Sequence, residues 1–371
     1  MRGPVIRRII VFKPGPIGDF LHSLPAVEAL RNAFPDARIT VVTARELADL
    51  VEAHPAVDER IYVPWDLFRG DVRGLLRFIG ELRARRPDLF VDMKSNVKSF
   101  LMRRLSGAGK VLRYRKQKRV RPGERRLHAV ENLLETVEPA TGKVPGSPFR
   151  VYLRREDEEA TDAFLRDTLP AESPVGRKVA LNPTVGWAIP SRLWPPESFG
   201  RLGDRIAREL GAGVFFTGGP SDREYLDKIA AGMTERPVIA AGRLTLGETA
   251  ALIKRCDLLV SGDTGPLHIA AGVGTKVIGL YGSVSTDRSQ PWGEGHVVIK
   301  KDLWCLPCEE KVCPLATMQC MKDITVDEVF EEVRKVLGKL ARISESPTRG
   351  PSGGRRDPRR TAEGRQGVPD D

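Results

Sequence analysis

The chain has 371 residues, enough for about two domains at roughly 150 residues each, and 41% of them are hydrophobic, which excludes a wholly disordered polypeptide. It carries 60 Lys+Arg against 49 Asp+Glu, a formal charge of +11, so nucleic acid, an anionic membrane surface and a phosphorylated substrate all have to be weighed as partners. No apolar run approaches the ~18 residues of a membrane span, and residues 9–12 are too short for a signal-peptide core of about 7–15 residues, so a cytoplasmic protein is expected.

Short β-branched runs alternate with helical periodicity along the chain, the pattern of parallel α/β units. In the first half, strands are expected at 8–12, 39–43, 60–63, 89–93 and 111–114. Helices are expected at 19–33, 45–53, 72–86, 97–105 and 128–137. Residues 138–147 (EPATGKVPGS) read as a loop, 156–167 as a helix, and LPAESPVG at 169–176 as a linker. The pattern then restarts, with strands at 178–181, 213–217, 237–240, 258–261 and 276–281. Its helices fall at 196–210, 222–231, 246–255 and 266–271, and an amphipathic helix at 327–340 closes it. From Ser344 apolar periodicity vanishes. The expected organisation is an N-terminal Rossmann-like domain over 1–170, a second over 176–342 and a disordered tail over 343–371. In such sheets ligands sit at the carboxyl ends of strands, so chemistry is sought in the strand-to-helix loops.

The first such loop is Lys13-Pro-Gly-Pro-Ile-Gly-Asp19. Its glycines allow the backbone to approach a ligand. Asp19 is either a first-turn acid that satisfies free N–H groups or a general base in the cleft. The second is Ser261-Gly-Asp-Thr-Gly-Pro-Leu-His268, where Pro266 suits a first helical turn. The N–H groups of Thr264 and Gly265 would then form an anion site, the plainer alternative being a turn capped by Asp263. His268 reads as a ligand or as a satisfied structural histidine. A third loop, Asn182–Pro195, offers Arg192, either a surface arginine or a cation for bidentate pyrophosphate binding. In Thr217–Glu224, Asp222 or Glu224 is placed to accept from ribose hydroxyls, although early helix acids are common without function.

Four of the five cysteines form Cys305-x2-Cys308-x4-Cys313-x6-Cys320, while Cys256 stands apart. This spacing is open to a structural zinc or iron–sulfur cluster, a disulfide, or reduced thiols in loop packing. The positive charge is local as well: residues 103–126 hold eleven basic residues against Glu124 alone. A solvated face is the plain reading of such a run. Base stacking would need interleaved aromatics, and Tyr114 is the only one in the run, so no nucleic-acid partner is expected.

The strings IGDFLHSLPAVEALRNAFPDARITVVT and VSGDTGPLHIAAGVGTKVIGLYGS, with DMKSNVKSFLMRRLSGAG, HAVENLL and WPPESFGRL between them, resemble glycosyltransferase family 9, the ADP-heptose:lipopolysaccharide heptosyltransferases. The resemblance runs from about Ile9 to Leu337 and implies a GT-B fold, two Rossmann-like domains facing a cleft. It implies inverting transfer of a heptose from ADP-heptose to the inner core (Kdo or heptose) of a lipopolysaccharide precursor, with no cofactor required for catalysis. A different nucleotide-sugar donor or glycan acceptor on the same fold is the alternative. Residue by residue, Asp19 matches the general base, Thr264 and Gly265 the backbone donors to the diphosphate, and Asp263 the aspartate at the donor sugar, with His268 in the same motif. Arg192 falls where the family usually has lysine, Glu224 resembles the ribose-binding acid, and Leu244 lies on the adenine side. The N-terminal domain is the acceptor side in that family. Lys98, Ser99, Arg115, Lys116, Lys118 and Arg119 are therefore expected to dock an anionic lipid-linked saccharide, placing the protein peripherally on the inner face of the cytoplasmic membrane. Pro14-Gly15-Pro16 is stiffer than the family's usual loop here.

Overall fold

The structure is a computed structural model that describes residues 5–63, 71–115, 117, 125–143, 148–169, 176–186 and 189–345. It opens with β1 (Arg8–Phe12), α1 (Ile17–Leu21) and α2 (Leu24–Ala33). The single helix expected over 19–33 is thus broken around Ser23, because Pro25 has no N–H for the helical ladder and is tolerated only in a first turn. Next come β2 (Arg38–Ala44), a 3₁₀ turn (Arg45–Leu47), α3 (Ala48–Glu52), β3 (Glu59–Val63) and α4 (Val72–Ala84). The first half ends with β4 (Leu89–Asp92), α5 (Val97–Leu105), β5 (Lys110–Arg113) and α6 (Ala129–Thr141). Its five strands pair in parallel in the order β3-β2-β1-β4-β5. Residues 138–141 are helix rather than the expected loop. Pro139 sits in the last turn of α6, where few ladder bonds remain to lose, and Gly142 at φ 73° ends it.

After α7 (Arg155–Thr168) the second half runs β6 (Lys178–Asn182), α8 (Pro196–Leu210), β7 (Gly213–Phe216), α9 (Arg223–Ala231) and β8 (Val238–Ile239). It continues with α10 (Leu246–Arg255), β9 (Leu258–Gly262), α11 (Gly265–Val273), β10 (Lys276–Tyr281) and α12 (Thr286–Ser289). β11 (Val297–Lys300), α13 (Gln319–Lys322) and α14 (Val326–Glu345) complete it. The sheet is again all parallel, β11-β10-β9-β6-β7-β8. β11 has no counterpart in the expected elements, being a four-residue edge strand whose side chains are mostly half-buried or exposed. α14 reaches three residues into the expected tail, and residues 346–371 lie outside the described residues.

Two parallel Rossmann-type sheets are what the β/α alternation foretold. Inner strands such as β4 and β9 are buried along their whole length because helices cover both faces. α7 follows the first half in sequence but packs on α10: Arg255 pairs with Glu158 at 3.1 Å and Asp162 at 2.9 Å, and Thr161 donates to the Glu248 carbonyl. In the second half Trp194 is fully enclosed, its Nε1–H donating to the Ile324 carbonyl at 2.9 Å. No helix among the described residues is long and apolar enough to cross a membrane.

Burial holds His22 well below the usual imidazole range and pushes His54 and His128 down to about 4. An unfolded chain would bind protons on these rings near pH 6.5, whereas the folded chain keeps His54 and His128 neutral down to about 4. The stability these rings contribute is therefore complete above about pH 6.5 and is lost as pH falls below it, by on the order of 1–2 kcal/mol for each of His54 and His128 at pH 5. The melting temperature should accordingly drop between neutral pH and about pH 5; an unchanged value would mean the rings take up protons without unfolding.

Candidate active site

Asp19, Arg192, Asp263, Thr264, Gly265 and His268 line one cavity of about 460 Å³ between the two sheets. Asp19 follows β1 and the Asp263–His268 string follows β9, so each wall is built at the carboxyl end of a central strand. The walls meet through glycine. A Cβ at Gly18 would sit 2.7 Å from Cδ2 of His268, and one at Gly265 would sit 2.9 Å from Cβ of Ile17. Both positions need glycine so that α1 and α11 can touch, which is a different use from the ligand approach expected for Gly18.

Asp263 is the electrostatic centre of the second wall. Its Oδ2 accepts from Nη1 of Arg192 at 2.7 Å, and its Oδ1 lies 3.5 Å from Nε2 of His268. Burial opposes its charge, yet the hydrogen bond and charge of His268 together with the Arg192 guanidinium hold its carboxyl below the usual range. Nε of Arg192 is buried without a protein partner among the described residues, leaving a donor over. The residue that caps α11 is Thr264 rather than Asp263, and its side chain does not cap the helix. Its hydroxyl turns back instead to Ser261 Oγ at 2.9 Å and Asn182 Nδ2 at 3.2 Å. The first-turn N–H groups of α11 thus lack a side-chain cap beside the cavity, which is the arrangement that binds anions.

His268 sits at the seam of the two walls. It lines the cavity, and its Nδ1 lies 3.2 Å from Nε2 of His22 across the seam. Burial first, then the neighbouring His268 and His128, keeps His22 neutral. One hydrogen bond joins His22 Nε2 and His268 Nδ1, and the other ring nitrogen of His268 faces Asp263. His22, His268, Asp263 and Arg192 form one chain of contacts from α1 to the second wall. Lys13 stands beside Asp19 and is pushed down to about 8, chiefly by burial, while its Nζ donates to the Met93 carbonyl. Arg288, on α12, brings a second guanidinium to the cavity. Sequence reasoning missed His22, Lys13 and Arg288 as site residues. The first two belong to strings already singled out; Arg288 sits on a four-residue helix with no periodicity to read.

Other expected residues are elsewhere. Glu224 is exposed and pairs with Lys228 at 2.7 Å, and Leu244 packs half-buried against the core; neither lines the cavity. Lys98 lines a second, larger cavity of about 1230 Å³ at the strand ends of the first sheet, with Pro14, Arg45, Tyr62 and Lys94. Pro16 belongs to the linings of both cavities. Ser99 is fully buried, donating to Asp92 and closing a capping box with Asn96 at the start of α5. Arg115 is exposed, and Lys116, Lys118 and Arg119 lie outside the described residues. Cys305, Cys308, Cys313 and Cys320 line one small cavity of about 110 Å³, and all five cysteines are free thiols. Burial raises the Cys320 thiol, whereas the Met318 N–H and neighbouring groups lower that of Cys313. Among the described residues no three His, Cys, Asp or Glu side chains are grouped so as to hold a metal ion.

The model of the family described as glycosyltransferase family 9 (heptosyltransferase) matches residues 75–319. A Campylobacter jejuni lipooligosaccharide heptosyltransferase 2 is 26% identical over 167 residues, 44% of this chain and 52% of that one, so the match spans about half the length of that relative. Lipopolysaccharide heptosyltransferase 1 of Pseudomonas aeruginosa is 26% identical over 324 residues, 82% of this chain and 87% of its own. Among solved structures, a family 9 glycosyl transferase from Veillonella parvula superposes with a TM-score of 0.80 at 23% identity, covering 91% of this chain and 99% of its own. The Escherichia coli ADP-heptose lipopolysaccharide heptosyltransferase II superposes at 0.73 and 21%, covering 90% and 99%. The fold is that of these GT-B enzymes. The chain belongs to glycosyltransferase family 9, the heptosyltransferases.

Proposed function

We propose that this chain is an inverting glycosyltransferase that moves a heptose from ADP-heptose to the inner core (Kdo or heptose) of a lipopolysaccharide precursor. The observation that carries the reading is the single cavity in which the exposed Asp19 carboxylate shares walls with Arg192, Arg288 and the uncapped start of α11. As the acceptor oxygen forms its bond to the anomeric carbon, the bond from that carbon to the diphosphate breaks on the opposite face. The hydroxyl proton passes to Asp19, and the electron pair leaves with the diphosphate. Negative charge grows where two guanidinium groups and a helix N-terminus already stand, so the protein supplies the stabilisation that a metal would otherwise give. Asp263 holds Arg192 in place, and the chain of contacts back to His22 ties that position to the α1 side. The relatives named above support heptose and ADP as the donor.

The acceptor is an anionic, lipid-linked saccharide that enters through the larger cavity, with Lys98 and Lys94 on its lining to meet carboxylate or phosphate. A protein with this acceptor works in the cytoplasm at the inner face of the cytoplasmic membrane. A donor screen with ADP-, GDP-, UDP- and dTDP-sugars and a truncated core acceptor tests the reading. Mass gain is expected from ADP-heptose and is expected to survive a chelator at full rate. Preferential transfer from a non-adenine donor would overturn the heptosyl assignment, and loss of rate with chelator would overturn metal-independent catalysis.

A further inference from the structure

Six large apolar side chains stand out on two neighbouring helices of the first half. Val72 and Leu76 on α4 and Val97, Phe100, Leu101 and Leu105 on α5 have exposures from 39% to 80%. On α5 the spacing of three, four and eight residues from Val97 makes one stripe, while Ser99 and Met102 face inward. α4 buries Phe78, Ile79 and Leu82 beneath it. The connections β3–α4–β4 and β4–α5–β5 both run in the same direction across the sheet, so right-handed crossovers put the two helices side by side on one face. Each helix carries the chain back from the end of one strand to the start of the next. Their first turns therefore lie at the sheet edge that carries the 1230 Å³ cavity, whose lining includes Val63, Asn96 and Lys98.

The charge around this stripe is mainly positive, with Asp71 spent on capping α4. α5 contains no acid, and the single acid of α4, Glu81, lies 3.3 Å from Arg85. Arg73, Arg77 and Arg104 are exposed on the same helices. Apolar side chains ringed by arginine match the interface of an anionic bilayer, where the rings and methyl groups enter the headgroup boundary and the cations meet phosphate. A second copy of this chain fits poorly, since pairing the face with itself would set these arginines against one another.

We propose that the α4–α5 face seats on an anionic lipid bilayer and turns the larger cavity toward the headgroups, so that an acceptor is taken while its lipid stays in the membrane. The proposal deepens the lipid-linked acceptor reading and rests on it. It differs from the expected dock at 115–119 in using apolar contact from α4 and α5.

The full chain is sedimented with vesicles of phosphatidylglycerol and phosphatidylcholine, and transfer to a soluble truncated acceptor is measured in parallel. Wild type is expected to bind the mixed vesicles, to bind pure phosphatidylcholine weakly, and to be released by salt. Val97→Ser/Phe100→Ser/Leu101→Ser and Arg73→Gln/Arg77→Gln are each expected to bind about tenfold more weakly or worse, with soluble-acceptor transfer unchanged. Equal binding by wild type and both variants, or no binding by wild type, overturns the docking face. So does a dimer that the apolar variant dissociates without changing vesicle binding. Failure of soluble-acceptor transfer in wild type overturns the acceptor reading instead, and the two failures are distinguishable.

Discussion

Replacing Asp19 by asparagine is expected to lower the transfer rate by about 10²–10⁴-fold while the fold and donor affinity persist. The side chain is exposed in the first turn of α1, so little packing depends on it. Losing one favourable charge at a helix start costs about 0.3–1 kcal/mol, small beside the roughly 3–5 kcal/mol that such a rate change represents. Asparagine keeps the shape and removes the basic oxygen, so the effect should fall on kcat, with the KM for donor nearly unchanged. Steady-state transfer together with a melting curve separates chemistry from stability. A variant that melts normally and transfers at the wild-type rate would remove Asp19 from the role of base.

Arg192→Ala is expected to cost about 10²–10³-fold in transfer, because one of the cations facing the departing diphosphate is lost. The same change strands Asp263, whose side chain is only 8% exposed, without its 2.7 Å partner. A stability loss of about 1–3 kcal/mol should accompany the kinetic one. Arg192→Lys restores the charge but not the planar fork, so it should recover at least about tenfold of the lost rate and fall short of wild type. Donor titration and turnover on the same samples decide the point. Wild-type kcat/KM in Arg192→Ala would show that the guanidinium serves Asp263 alone.

Much of this arrangement was legible in the sequence because parallel α/β folds write their layout plainly. Runs such as RIIVF and LLVSG are buried on both faces, so the strands read as apolar blocks, and the loops after them hold the site. That logic marked the loops of Asp19, Arg192 and the Asp263–His268 string as candidates, and the family resemblance joined them into one site; the structure lines one cavity with them. It failed where an element is short or where a local rule is overridden. The four residues of β11 carry too little apolar weight to stand out, and the Pro and Gly content of 138–147 reads as a loop although the helix runs on through Pro139 to Thr141. Arg288 follows β10 on a short helix with no motif around it to single it out. Ser99 went the other way: beside Lys98 on the acceptor side of the resembling family it reads as an acceptor contact, yet its hydroxyl is used by Asp92 and Asn96.

The contacts at Gly18 and Gly265 reach beyond packing. Each glycine abuts a side chain far from it in the sequence, Gly18 against His268 and Gly265 against Ile17, and the two pairs interlock. A methyl group added at either position has to displace the residue facing it. Neither glycine is therefore free to drift by itself: a larger residue at 265 becomes tolerable only once position 17 has shrunk, and position 18 stays fixed for as long as an imidazole is kept at 268. Four positions in two distant stretches thus behave as a single inherited unit, so the rate at which this seam can vary among descendants is set by the chance of paired changes.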